Sequence, residues 1–193
     1  MGPVSAVPPD RRDRTRPHRR VTDWALRLAR PGDAAAFPDV ERSAARAFAT
    51  VEGLESLVDA WPMPEERHRL LIAKGHCLTA LVDEEVAGFL AGERFGRALH
   101  IWEMSVADPF QRRGIGAGLV RASTIDAANV GCQSVTLTTF ADVAWNAPFY
   151  KRLGFEPIDD LATWPRLAGL LADERASFGA VHERVAMVRF SGP

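Results

Sequence analysis

Hydrophobic positions along the chain switch between a two-residue and a three-to-four-residue period, the signatures of strands and helices. Trp24 to Arg30 (WALRLAR) alternates as a strand, and Pro31-Gly32-Asp33 ends it before an alanine-rich helical stretch reaching about Phe48. A second helix, PEERHRLLIAKG, carries Pro64 near its start and ends at Gly75. Three strand-like runs follow between His76 and Ala107: HCLTALV, EVAGFLAGERF and ALHIWEMSVA. Asp83-Glu84 and Gly96-Arg97 separate them, spacings that predict hairpin turns and an antiparallel meander.

The next segment predicts a helix with Ile115, Leu119, Ala122 and Ile125 on its apolar face, ending at Asn129 to Gly131. SVTLTTF (134–140) alternates as a strand, AWNAPFYKRLGF reads as a short helix ended by Gly154, and FEPI as a short strand. WPRLAGLLADERAS then predicts a helix and ERVAMVRF a last strand. This order predicts one α+β domain around a mixed sheet, covering residues 21–193.

Composition places the chain among ordinary globular domains: 193 residues, 47% hydrophobic and 25% charged, suffice for one core. Charge is uneven. Residues 1–20 hold six arginines against Asp10 and Asp13, with four prolines and almost no large apolar side chain. Such a segment is expected to be a disordered basic tail. Because the remainder is acidic, no nucleic-acid partner is expected. No run of about 18 apolar residues and no secretory signal is found, so no membrane partner and a cytoplasmic location are expected. Cys77 and Cys132 form no C-x-x-C pair and the five histidines are scattered, so no metal site is expected.

The candidate chemistry lies in DPFQRRGIGAGLV. Gly114, Gly116 and Gly118 each cost about 1 kcal/mol relative to alanine in a helix interior, so something there requires bare backbone. The first N–H groups of a helix lack internal partners and sit at the positive end of its dipole, which suits a phosphate. Arg112 and Arg113 add positive charge at the same point. The P-loop pattern fails because the chain has no Lys-Ser or Lys-Thr. The dinucleotide pattern fails because the third glycine is misplaced and the βαβ context is missing.

A third pattern fits. Gln111-Arg112-Arg113-Gly114-Ile115-Gly116 matches the Q/R-x-x-G-x-G/A signature, and on it the chain resembles the GNAT superfamily of N-acetyltransferases. EMSVADPFQ resembles that family's fourth strand and its exit, and NAPFYKRLGF resembles the segment carrying its acid tyrosine. The resemblance spans roughly Trp24 to Phe190, its specific motifs falling within 100–155.

The resemblance implies a mostly antiparallel central sheet flanked by helices, with a splayed strand pair holding acetyl-CoA as co-substrate. Main-chain amides of Arg112 to Ala117 (Arg112, Arg113, Gly114, Ile115, Gly116, Ala117), preceded by Gln111, would hold the pyrophosphate. Met104, Ser105 and Val106 would pair with the pantetheine arm like an added strand. A bulge would part their strand from 134–140, and a backbone N–H near Val106 would meet the acetyl carbonyl. Many relatives carry an asparagine seven residues before the tyrosine; that position is Val143 here. Asn146 then either contacts the cofactor arm or caps the helix.

The family's acceptor is an amine, protonated at neutral pH, so a base is required. Glu103 is the first choice, against the plainer readings of an exposed strand carboxylate or a partner for the substrate's charge; His100 is the second. Tyr150, the only tyrosine, is expected to protonate the leaving thiolate. Trp61, Trp102 and Trp145 either line an acceptor pocket or pack in the core. The expected activity is direct acetyl transfer in a ternary complex, to a small-molecule amine ahead of a protein amine. The alternative is a catalytically weak acyl-CoA sensor. Pairing along Glu183 to Phe190 into a homodimer is also implied.

Overall fold

Among the described residues seven strands form where the alternation places them, in the spatial order β1-β2-β3-β4-β5-β7-β6. The computed structural model describes residues 23–178 and 182–191; the arginine-rich segment 1–20 lies outside the described residues. In chain order the elements are β1 (Ala25–Leu28), α1 (Phe37–Ala45), α2 (Glu65–Ala73), β2 (Cys77–Val82), β3 (Glu85–Phe95) and β4 (Ala98–Val106). There follow α3 (Ile115–Asn129), β5 (Ser134–Phe140), α4 (Ala147–Arg152), β6 (Glu156–Pro157), α5 (Pro165–Phe178) and β7 (Arg184–Phe190). All neighbouring pairs are antiparallel except β4 with β5. The meander turns at Asp83-Glu84, both residues left-handed (φ 46° and 68°), as a two-residue hairpin of right-handed strands requires.

Helices cover both faces. On one, Ile115, Leu119 and Val120 of α3 and Tyr150 of α4 pack against Leu99, Ile101, Val135, Leu137 and Met187. On the other, Phe37 and Val40 of α1 and Leu71 and Ile72 of α2 pack on Phe89 and Ala91. Farther along that face, Leu167 and Leu171 of α5 close on Ala186.

Two expectations change. The alanine-rich stretch is broken: 3₁₀ turns at Pro31–Ala35 and Arg46–Thr50 flank a nine-residue α1. The first turn is set by Asp33, whose carboxylate accepts two bonds from the Arg27 guanidinium, one from the Thr79 hydroxyl and one from the Arg30 amide. Its donors overcome the burial penalty and hold that carboxyl down at about 2. In α3, Ile125 is 62% exposed. The buried line steps by four through Ile115, Leu119, Ser123 and Ala127, which turns position 125 to the opposite side.

Candidate active site

The site begins with an irregularity in β4. Ala91 faces Glu103 and the adjacent Gly92 faces Ile101, so Trp102 is the extra residue of a β-bulge. The bulge shifts the pleat by one residue. Leu99 and Ile101 before it, and Met104 and Val106 after it, all join the α3 side. Trp102 packs with the α1–α2 side, and Glu103 shares its side with Ser105, whose hydroxyl donates to a Glu103 oxygen at 2.7 Å.

The same bend parts the parallel pair. β4 and β5 are bonded only through Ala98, Leu99 and His100, opposite Ser134, Val135 and Thr136. Beyond that point β4 leaves β5, which continues to pair with β7 through Phe140, and a slot opens between them. The Ala107 amide donates to Ala87 of β3. Alternation along the strand therefore turns the Val106 N–H and C=O toward the slot. The Gln111 side chain donates to that carbonyl at 3.0 Å, fastening the following loop to the strand end.

In that loop Arg112 (φ 58°) and Gly114 (φ 85°) are left-handed, and α3 starts at Ile115. A left-handed arginine is an uncommon backbone state that marks a shaped loop. Left-handed residues leading into a helix start form a concave nest of N–H groups suited to an anion. At Gly116 the nearest atoms an added Cβ would meet are Met104 Sδ at 3.5 Å and Met104 Cε and Phe149 Cζ at 3.6 Å, ordinary contacts. The protein's own packing leaves the glycine unexplained there, as a ligand pressed on the main chain would require. Gly118 has another reason: the Trp24 indole lies on it, while Trp24 Nε1 donates to the Arg113 carbonyl at 3.1 Å.

Three charged or polar groups bear on one another beside the slot. Burial first, and then the negative charge of Glu41, push the Glu103 carboxyl up to about 7, against the Ser105 and Met104 donors and Arg184. Tyr150, 7% exposed, is raised above the ordinary phenol range by burial and by the Glu103 charge, so it remains a proton donor. Arg184 of β7 acts on both from the third side. It donates to Glu174 at 2.8 Å and lies over the Phe140 ring at 4.6 Å. Arg184, Glu174 and Glu41 were not found from sequence. The available signal was Glu41, a carboxylate on the same stripe of α1 as Phe37 and Val40.

His100 does not suit the role of base. It is 1% exposed, its Nδ1 pairs with the Thr136 hydroxyl at 3.0 Å, and it stands edge-on to Trp102 and Phe95. Burial, with help from Arg166, pushes it down to about 3. Asn146 occupies the N-cap position of α4 but makes no side-chain cap bond, and its buried Nδ2 has no partner among the described residues. The side chain therefore does not cap the helix. The tryptophans separate: Trp102 donates to buried Glu93, Trp145 stands beside Phe48, and Trp61 is 94% exposed. Among the described residues no group of three metal-binding side chains is gathered, and no helix is long and apolar enough to cross a membrane.

A slot beside a parted parallel pair thus leads from a nest of N–H groups suited to an anion to a carboxylate and a phenol. Residues 41–155 match the model of the acetyltransferase (GNAT) family, and the chain belongs to that family. Its fold is similar to that of the PaiA N-acetyltransferase from Thermoplasma acidophilum, solved with coenzyme A. That match has 13% identity over 87% of this chain and 99% of the other, with a TM-score of 0.64. Ard1 from Thermoplasma volcanium matches at 18% identity, 89% and 99% coverage and a TM-score of 0.65. The ribosomal-protein-S18-alanine N-acetyltransferase from Escherichia coli matches at 14%, 88% and 96%, and 0.61. The mixed, mostly antiparallel sheet flanked by helices is common to them.

Proposed function

We propose that the protein transfers an acetyl group from acetyl-CoA to a small-molecule amine by direct attack in a ternary complex. The observation that carries this reading is the parting of β4 from β5 beside Glu103 and Tyr150. Acetyl-CoA supplies an acyl group already activated as a thioester, so no protein nucleophile is needed. Arg112, Arg113, Gly114, Ile115, Gly116 and Ala117 would hold its pyrophosphate, the open side of Met104, Ser105 and Val106 its pantetheine arm, and Asn146 Nδ2 would donate to that arm. The Val106 N–H would meet the carbonyl oxygen as charge develops on it.

Glu103 takes a proton from the acceptor ammonium, and the freed nitrogen lone pair forms the new bond to the carbonyl carbon. As the carbon–sulfur bond breaks, Tyr150 gives its proton to the sulfur; the nitrogen, positive once it has bonded to carbon, sheds its second proton, which returns through solvent to the Tyr150 phenolate, and Glu103 releases the first to solvent. A proton affinity near neutral matches Glu103 to this task, since a base works best when its pKa lies near the working pH. A small amine is favoured because the 46–59 segment covers the outer end of β5: Leu54 packs with Phe140 and Val143, beside Phe48, Val51 and Leu57.

The test is a screen of amines with acetyl-CoA, following free thiol, with wild type and Tyr150→Phe in parallel. An amine turned over by the wild type and slowed about 10²–10⁴-fold by Tyr150→Phe is expected. Coenzyme A binding without turnover of any amine would count against the reading.

A further inference from the structure

Trp102, the extra residue of the β4 bulge, has one polar atom, and that atom is gripped: indole Nε1 donates to a Glu93 oxygen at 2.8 Å. Glu93 belongs to β3, stands opposite His100 and is buried. Lys74, the C-cap of α2, bonds its other oxygen, and Arg67 of α2 reaches the oxygen that the indole uses at 3.3 Å. Burial opposes a charge there, but Lys74, the indole and Arg67 outweigh it and hold the carboxyl below its usual range. The Arg67 guanidinium also lies over the Trp102 ring, 5.7 Å from its centroid, and the His100 ring stands edge-on at 4.7 Å.

The facing strand is shaped for the same irregularity. At Gly92, beside Glu93 and at the register shift, an added Cβ would come within 2.7 Å of the His76 carbonyl oxygen. Backbone approaches backbone there and no side chain fits. What Glu93 prevents follows from the register. Gly92 faces Ile101, so an unbulged ladder would continue with Ala91 facing Trp102 and Leu90 facing Glu103, in place of the observed Ala91–Glu103 and Leu90–Met104 pairs. A one-residue slip exchanges the faces of every later side chain. Glu103 would pass to the α3 side, where Leu90 is buried with Ile115 and Leu119, and the bend that carries β4 away from β5 would be lost.

We propose that Glu93 is a positioning residue for acetyl transfer: by holding the Trp102 indole it fixes the β4 bulge, and with it the open slot and the side of the sheet on which Glu103 stands. Glu93 touches neither substrate nor reacting atoms in this role. The proposal rests on the acetyl-transfer reading, since the slot matters only if acetyl-CoA occupies it. Lys74 and Arg67 tie the grip to α2, so the helix that packs on Phe89 also steadies the strand that carries Glu103.

The test compares Trp102→Phe, Glu93→Ala and Glu93→Gln in the full chain, with Leu171→Ala, packed on Ala186 of β7, as a control for lost stability alone. Phenylalanine keeps a ring but no donor, alanine removes the acceptor, and glutamine keeps an oxygen for the indole; the first two break the same bond, so either one carries the test if the other fails to fold. Cross-strand NMR contacts read the register, Ala91 with Glu103 or Ala91 with residue 102, and calorimetry reads coenzyme A affinity below the melting range. In Trp102→Phe and Glu93→Ala the Ala91–Glu103 contacts should weaken in favour of the slipped register and the affinity should fall about tenfold. Glu93→Gln should restore most of both, and Leu171→Ala should change neither. An unchanged register, an affinity that stays at the wild-type value when the register moves, or an equal loss in Leu171→Ala would overturn the proposal. A register that moves as expected in a protein whose wild type binds no coenzyme A would support the grip on the bulge and overturn the transfer reading instead.

Discussion

The indole of Trp24 rests so closely on Gly118 that a β-carbon there would come within 2.4 Å of Trp24 Cη2. The contact fixes the strand-side approach to the anion nest, because the same indole donates to the Arg113 carbonyl. Gly118→Ala gains up to about 1 kcal/mol of helix propensity but forces a large ring to move, an overpacking cost of about 1–3 kcal/mol. We expect a net loss of stability in denaturant titrations and weaker coenzyme A binding by calorimetry. Trp24→Phe should keep more of the stability while losing the bond that holds the loop.

The parts of this site differ in how far the sequence discloses them, for physical reasons. The loop before α3 is legible because its glycines interrupt a helical run, although Gly118 answers to Trp24, and the place of Tyr150 on a short helix because its flanking motif is specific. The strands of the meander are legible because both faces are buried and each is bounded by a turn. The bulge is not, since Trp102 and Glu103 both project to one side without any change in composition to mark the slip. Nor is the bond between Glu93 and Trp102, which depends on the same slip. Ile125 misleads because its spacing from Ala122 fits a helix stripe, while the real stripe steps through Ser123 and Ala127.

His100 supplies a prediction in pH. Its folded value of about 3 lies below the unfolded value of about 6.5, so as pH falls between them the unfolded chain binds the extra proton. This contribution to stability is complete above pH 6.5 and is lost toward pH 3, at up to about 1.4 kcal/mol per pH unit. His100→Gln should flatten the fall of Tm with acid relative to wild type, and should leave the acidic limb of kcat/KM in place. A limb that moved with His100→Gln would return the base role to His100.

His182 predicts the opposite sign. Its Nδ1 lies 2.8 Å from an Asp142 oxygen and its Nε2 2.8 Å from the Glu52 carbonyl, and only the imidazolium donates to both. These partners, Glu52 first, raise its proton affinity in the folded protein. The tie is therefore fully present below the ordinary histidine pKa and is lost as pH rises through the raised folded value. It joins the 51–54 turn to the loop before α4, beside the packing of Leu54 on Phe140. Hydrogen exchange at Leu54, whose amide bonds to Val51, should accelerate above that pH beyond the intrinsic base-catalysed rise. In His182→Gln the exchange should be fast throughout and show no such step.

Gly116 separates what the fold needs from what the ligand needs. The nearest neighbours of its Cβ site, Met104 and Phe149, stand at ordinary distances, and it lies in the first turn of α3, where alanine is the better helix former. Gly116→Ala should therefore leave the isolated protein as stable as wild type or more stable, by up to about 1 kcal/mol. If the main chain at this turn is the surface on which the pyrophosphate rests, the added methyl intrudes on the ligand alone, and calorimetry should show coenzyme A binding weakened at least tenfold. Greater stability with weaker binding is the signature of a glycine kept for a ligand. Lower stability with unchanged affinity would assign Gly116 to packing and move the phosphate off α3.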